Sequence, residues 1–526
     1  MELQLRLHSY RYFPYEMMLA RREVQRLMGG VARETSDGFF LSGAVDCGML
    51  RRLTYCSEAV VGGQRLVTDQ ALLEASSKDD PDRPVRRQST RYSAHGLHEY
   101  RGKFNPQIVR AATNLIGLED RATLLDLFCG SGTVLLEALH LGYDAVGIDL
   151  NPLAIEIARA KLLATRTDPD LLETATERYI EHLTGTAAAL DYEHAIPANQ
   201  ICRLVGDAWI NRLPNSEYLA EWFPESVLAQ LVLASDVLDR SVPKSLVPFF
   251  RVVISDVLRD VSWQDPADLR IRRRKDAAPN YPAIPLICST LQKKAGRIVS
   301  ARRHLGKVKG THLAVLGDSC DLNNLDRRAK TLLSRGVDCV IGSPPYATAL
   351  PYADTQRLSL AFLGLATPRE IRALDGDLMG SREITASNRR QLESELVSNA
   401  PGLPPTVANE CRRLLDALGP NDGFRRQNTP PLLYRYFVGM KQAMANAMLC
   451  LRPGGHLVFV VGPNRTTLGG KEYTIDTPSL LRDLGVSVGL QHRELITLDA
   501  YQRFDVHMKN SIRHEQLLWM QKADGM

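Results

Sequence analysis

Residues 124–152, LLDLFCGSGTVLLEALHLGYDAVGIDLNP, constrain this chain more than any other stretch. Leu124, Leu125, Leu127 and Phe128 form a short apolar run broken only by Asp126, the pattern of a buried parallel strand. Gly130-Ser131-Gly132 then turns the chain with no Cβ in the way. Residues 133–141 carry apolar side chains at helical spacing, and Gly142 closes that helix. Residues 145–148 read as a second buried strand with Asp149 at its carboxyl end. Ligands of open α/β sheets bind outside the carboxyl ends of the strands, so the glycine turn and Asp149 are expected to face one crevice. An acid in that position can accept hydrogen bonds from both hydroxyls of a ribose.

Ribose occurs in several cofactors, and the glycine spacing separates them. A dinucleotide site needs a third glycine where the helix packs close to the strand, and Leu135 stands there instead. The pattern Phe128-x-Gly130-x-Gly132 after a strand, followed by Asp149-x-Asn151-Pro152, resembles the S-adenosylmethionine site of class I methyltransferases.

A second motif lies some two hundred residues on. Residues 337–341, VDCVI, read as a strand running into Gly342-Ser343-Pro344-Pro345-Tyr346. Two prolines fix φ at successive positions and donate no hydrogen bond, so the backbone carbonyls there stay free to accept. This suits methylation of an exocyclic base amine. That nitrogen's lone pair is delocalised into the ring and is a poor nucleophile. Accepting its two N–H bonds, one at Ser343 and one at the Pro344 carbonyl, rehybridises the nitrogen and aims the lone pair at the methyl. Tyr346 offers a flat face for a base drawn out of its helix.

The bulk of the chain fits this chemistry. Its 526 residues allow more than one domain. No run is long enough to span a bilayer and no secretory leader is read, so neither a membrane partner nor export is expected. The nine cysteines are scattered with no C-x-x-C pair, so no zinc or other metal and no disulfide framework is expected; a reducing cytoplasm is the default location. Residues 270–309 hold twelve Lys/Arg and one acid, a charge of +11 that leaves the rest of the chain at −6 against a total of +5. A cationic segment on a slightly acidic body is the footprint of a polyanion partner.

Taken in order, residues 1–90 read as an N-terminal accessory domain ending in the linker-like SSKDDPDRPVRR. Residues 93–105, SAHGLHEYRGKFN, precede a helix opened by Pro106 and read as a lid; His95 and His98 show no nearby partners for a metal. Residues 166–309 read as a mostly helical, basic insertion, with one amphipathic helix over 248–263 and another over about 285–305. Strands are expected at 312–316, ending before Asp318, at 457–461, and as an antiparallel pair at 486–491 and 516–520. Residues 366–430, polar and punctuated by prolines, read as a second insertion, and Asn464, Arg465 and Lys471 fall in a loop near the expected base pocket.

With both motifs in place, the chain resembles the amino-methylating DNA methyltransferases that modify cytosine-N4 or adenine-N6. The resemblance covers about 91–165 and 310–526, which would form the catalytic domain, and implies an α/β fold: a Rossmann-like class I methyltransferase sheet with a mostly helical insertion and a small N-terminal domain. It implies S-adenosylmethionine held by Lys103, Phe104, Asp126, Phe128, Gly130, Gly132, Asp149 and Asp318. Lys103 and Phe104 belong to HEYRGKFNP, which resembles the lid element of these enzymes, and Asp318 takes the place that commonly meets the adenine amino group. Ser343, Pro344, Pro345 and Tyr346 match the catalytic tetrapeptide. Serine at its first position is typical of the cytosine-N4 branch. The order of lid, cofactor loop, insertion and tetrapeptide resembles the subgroup whose target-recognition domain lies between the two motifs, which makes 166–309 the candidate for reading DNA in a restriction-modification setting. An RNA methyltransferase, or a nucleic-acid-binding regulator on an inactive scaffold, shares much of this pattern.

Overall fold

The N-terminal part is an antiparallel sheet of β1 (Leu3–Leu7), β2 (Val31–Glu34), β3 (Gly38–Ser42), β4 (Cys56–Val61) and β5 (Gln64–Val67), in the order β2-β3-β1-β4-β5. In β1, buried Leu3 and Leu5 alternate with Gln4 and Arg6, so one face is apolar. The helix Pro14–Met28 covers that face with Leu19, Ala20, Val24 and Leu27. The same helix packs on the helix Pro106–Ile116, and one hydrophobic core joins this sheet to the central one. Buried Glu23 accepts from the Thr54 amide at 3.1 Å and from Asn114 Nδ2 at 2.8 Å, and Arg22 forks onto Glu494 at 3.0 and 2.8 Å. The computed structural model describes residues 3–29, 31–42, 46–77, 87–100, 102, 105–190, 200, 206, 208–265, 272–274, 282–347, 353–499 and 514–525.

Seven strands form the central sheet: β6 (Thr123–Asp126), β7 (Asp144–Asp149), β8 (His312–Leu316), β9 (Val337–Gly342), β10 (Leu451–Val461) and, beyond the small hairpin of β11 (Asn464–Leu468) and β12 (Lys471–Ile475), β13 (Leu490–Asp499) and β14 (His514–Lys522). Their order is β8-β7-β6-β9-β10-β14-β13. The pairs among β6 to β10 are parallel, while β14 runs antiparallel to both β10 and β13. The strands β6 and β9 are buried along their whole length, which explains their largely apolar reading, interrupted by Asp126 and Asp338. This is the α/β class and the Rossmann-like sheet expected from the sequence.

The chain leaves β6 toward β7 and β8, then returns to lay β9 on the other side of β6, with Leu124 opposite Cys339 and Leu125 opposite Val340. A crevice opens where the strand order reverses, because the loops leaving the two neighbouring strands diverge to opposite faces. The glycine turn leaves β6 and the proline turn leaves β9. Sheet topology therefore brings the two motifs together.

Between β7 and β8 stand mostly helices, including Pro169–Ala188, Glu225–Ser241, Val247–Asp256 and Ala283–Leu305, packed on one another around Tyr179, Leu231, Phe249 and Leu291. Three sequence expectations change in detail. The single helix expected over 248–263 is two, Val247–Asp256 and Leu258–Val261, split where Asp256 turns to accept from the Glu99 amide at 2.5 Å and to pair with Lys294. Residues 486–487 end a helix, Thr477–Ser487, capped by Asp476 and carrying Leu480, Leu481 and Leu484 on its buried face, so the strand expected at 486 starts at Leu490 and continues to Asp499. Arg465 and Lys471 lie on the β11–β12 hairpin, not in an irregular loop. No helix among the described residues is long and apolar enough to cross a membrane.

Candidate functional site

The glycine turn is held from three sides. The Phe128 amide donates to Asp126 Oδ1 at 3.0 Å, the Cys129 amide to the Ile148 carbonyl at 2.9 Å, and the Gly130 amide to Asp149 Oδ2 at 2.8 Å. Buried Lys161, from the next helix, donates to the Ser131 carbonyl at 2.7 Å. Gly130 and Gly132 have φ of 47° and 80°, the left-handed region that side chains resist. A Cβ on Gly132 would lie 2.8 Å from Ala158 Cβ, so glycine also lets the helix Pro152–Arg166 approach.

Asp149 stands at the end of β7. Its Oδ1 accepts from the Asn151 amide at 2.9 Å. Burial pushes its pKa up to about 6. Asp126 is buried more deeply, at 1% exposure, and burial, followed by the charge of Asp149, pushes it up to about 8. Near neutral pH the pair therefore carries its charge on Asp149, the outer acid.

The proline turn faces the same space. One cavity is lined by Phe128, Gly130 and Asp149 on one side and by Ser343, Pro344, Pro345 and Tyr346 on the other. Asp318 joins the lining beyond β8, and its Oδ1 also accepts from the Cys320 amide at 2.8 Å, so it both shapes its turn and faces the cavity. Ser343 Oγ donates to the Val460 carbonyl at 2.9 Å. With its hydrogen committed there, the Ser343 oxygen is left as an acceptor. Asn464 Nδ2 donates to the Ala347 carbonyl and ties the turn to β11.

Of the predicted site residues, Asp126 and Gly132 stand behind the cavity wall rather than in it, supporting the turn from beneath. Lys103 and Phe104 lie outside the described residues. The lid expectation divides. Tyr100 and Gly102 line the cavity, and the Tyr100 ring lies over Gly130, where an added Cβ would come within 3.1 Å of it. His95 and His98 do not face the cavity. His98 is bonded to Ser255 at 3.1 Å and His95 to Glu137 at 2.6 Å.

The statement that the histidines lack partners is thus corrected: His95, Glu137 and His140 are close enough to offer three ligand atoms to one ion. Arg110 already sits on that carboxylate at 2.5 Å and Tyr92 at 2.8 Å, so the group is a hydrogen-bonded hub built around one buried anion. Burial pushes His95 down to about 4, which keeps it neutral.

Sequence reading missed Glu515, Leu378 and Met379, which complete the cavity from β14 and from the 366–430 segment. Their side chains carry no motif, and only the fold brings them near Tyr346. The basic run also differs from its expectation in part. Lys294 pairs with Asp256, Arg303 with Asp170 and Glu173, and Arg273 lies over the rings of Trp222 and Trp263. Several of its charges therefore hold the insertion together. Arg270 and Lys275 lie outside the described residues.

The seam between the motifs is tight at Gly342, where an added Cβ would lie 2.4 Å from Asp126 Oδ1. Gly342→Ala is expected to destabilise the protein by about 1–3 kcal/mol through overpacking. A urea-unfolding midpoint unchanged from the parent would mean that β6 and β9 have slack here.

The RMKL-like methyltransferase domain family, UPF0020, matches residues 97–195. Type II methyltransferase M.MvaI of Kocuria varians is 26% identical over 309 residues, which are 56% of this chain and 63% of that protein. Type II methyltransferase M.BsoBI of Geobacillus stearothermophilus is 25% identical over 319 residues, 57% of this chain and 58% of that protein. The tRNA (guanine(10)-N2)-dimethyltransferase of Methanothermobacter thermautotrophicus (strain Delta H) is 36% identical over 63 residues, 12% of this chain and 19% of that protein. The chain thus spans less than two thirds of the length of these curated relatives. The matches support the resemblance to amino-methylating DNA methyltransferases.

Proposed function

We propose that this protein transfers a methyl group from S-adenosylmethionine to an exocyclic amine of a DNA base, with cytosine-N4 favoured over adenine-N6. The observation that carries this reading is the single cavity shared by the glycine turn, Asp149 and the Ser343–Tyr346 tetrapeptide. The acceptor set fits the cofactor: Asp149 for the ribose hydroxyls, Asp318 for the adenine amino group, and a turn with no Cβ where the nucleoside approaches. When bound, S-adenosylmethionine supplies a methyl already activated by its sulfonium.

The chain's own part is orientation. Ser343 Oγ and the Pro344 carbonyl accept the two amine hydrogens and aim the nitrogen lone pair. Pro345 holds the turn, and the Tyr346 ring receives the base on its face. The Tyr100 ring packs against Gly130 at the cavity wall. Serine at the head of the tetrapeptide supports the cytosine-N4 preference.

A relative named for tRNA guanine methylation matches a short part of the chain, and RNA is therefore the second reading. Methyl transfer from tritiated cofactor to in-vitro-amplified genomic DNA, against tRNA transcripts, separates the two. Label in the DNA arm is expected; label in the tRNA arm alone would replace the DNA reading. Long-read sequencing of DNA from cells with and without the gene would then report base and context.

The pKa of Asp149, pushed up by burial to about 6, gives a further check. Above that value the carboxylate is charged and accepts from both ribose hydroxyls. Below it, protonation converts an acceptor into a donor. Affinity for S-adenosylhomocysteine, read by calorimetry, is expected to fall between about pH 7.5 and about pH 5. An affinity flat over that range would remove Asp149 from the ribose.

A further inference from the structure

The tetrapeptide's backbone and its aromatic ring are held by different means. The prolines, the bond from Ser343 to the Val460 carbonyl and the close fit of Gly380, where an added Cβ would lie 2.8 Å from the Tyr346 carbonyl oxygen, all act on the backbone. The ring turns about two further bonds, and none of these contacts reaches its far end. There the Tyr346 hydroxyl donates to Glu515 Oε1.

Glu515 comes from β14, which lies beside β10, and both it and Tyr346 line the cavity. Farther along the strand Leu517 and Leu518 are both buried in the sheet, while Glu515, near the strand's start, meets the open cavity. A carboxylate in such a position costs desolvation and is kept only where it has a donor to receive. Burial pushes its pKa up, and the Tyr346 hydroxyl pulls the other way.

We propose that Glu515 is a positioning residue, whose carboxylate tethers the Tyr346 hydroxyl and so holds the ring in the plane on which the methyl-accepting base stacks. This rests on the reading of Tyr346 as the stacking face. A ring tethered at its hydroxyl meets the base in a narrower range of orientations than one without that bond, and misplacement of a reacting group lowers turnover steeply.

The test uses the full chain. Glu515→Leu is expected to lower kcat for methyl transfer to in-vitro-amplified genomic DNA about tenfold, the scale of one lost hydrogen bond. The KM for S-adenosylmethionine should stay within about twofold, because the ring is not its support. Glu515→Gln, which keeps an acceptor oxygen, should recover most of the loss. Tyr346→Phe should match Glu515→Leu, and the double variant should be no worse than either alone. A Glu515→Leu enzyme with parental kcat, or a double variant in which the two losses multiply, would overturn the proposal.

A readout without activity keeps the two readings apart. In protein labelled with 3-fluorotyrosine, the fluorine resonance missing from Tyr346→Phe identifies Tyr346. That resonance is expected to move in Glu515→Leu and to return toward its place in Glu515→Gln. If the parent methylates neither DNA nor tRNA, the proposed function fails while this shift still decides the tether. An unmoved resonance would overturn the tether whatever the activity. Should Glu515→Leu fail to fold, Tyr346→Phe carries the kinetic measurement, and the Tyr346 resonance is read in Glu515→Ala, which also removes the acceptor.

Discussion

Replacing Tyr346 by alanine is expected to lower methyl transfer by about 10- to 100-fold, the value of one base stacked on an aromatic ring at about 1–3 kcal/mol. Cofactor affinity should change little, because the proposed function assigns the ring to the base and not to the cofactor. Asp149→Ala should do the reverse. It removes the carboxylate that the proposed function sets against two ribose hydroxyls, each charge-assisted bond being worth about 1.5–3 kcal/mol. It also strips the Gly130 and Asn151 amides of their partner. Binding of S-adenosylhomocysteine should weaken at least tenfold, roughly the value of one such bond. Steady-state kinetics on one variant and calorimetry on the other decide the matter. If both substitutions reduced turnover and affinity equally, the two halves of the cavity would not have separate duties.

The second large effect concerns stability rather than chemistry. Glu137 is fully buried and takes donors from Arg110, Tyr92 and His95. Burial opposes its charge, yet Arg110 and the histidines hold it well below the ordinary carboxylate range. Glu137→Leu leaves a guanidinium 1% exposed without the carboxylate that accepts from it. Breaking a buried pair in this way costs about 3–5 kcal/mol. Urea unfolding should show that loss, and Tyr92 and His95, which lead into the strand-side segment carrying Tyr100, should loosen with it. A loss below about 1 kcal/mol would mean that the hub is held by packing alone.

The contrast between these two predictions shows what a linear chain displays. Tyr346, Asp149 and Gly130 stand out because backbone demands are local. A positive φ asks for glycine, a locked turn asks for proline, and an acid at a strand end needs only the strand. The positions of the strands along the chain followed for the same reason, since short buried strands read as apolar runs. Glu137 and Glu515 are ordinary glutamates until the fold sets His95 and Tyr346 beside them, across 42 and 169 residues. The histidines of the lid were visible, but their direction was not, because burial depends on which helices close over them.

Charge behaved likewise. The run over 270–309 is cationic by composition, but whether a cation faces solvent depends on acids elsewhere, and Asp256, Asp170 and Glu173 lie outside the run. The sequence by itself determined the strand-and-turn grammar of the two motifs, because each is a constraint on consecutive residues. Only the tertiary structure decided that both turns open into one cavity, that Glu515 reaches the Tyr346 hydroxyl, and that a buried anion at Glu137 holds Tyr92, His95 and Arg110. Those are meetings between residues far apart in the chain, and the physical agent that arranges them is the order of strands in the sheet.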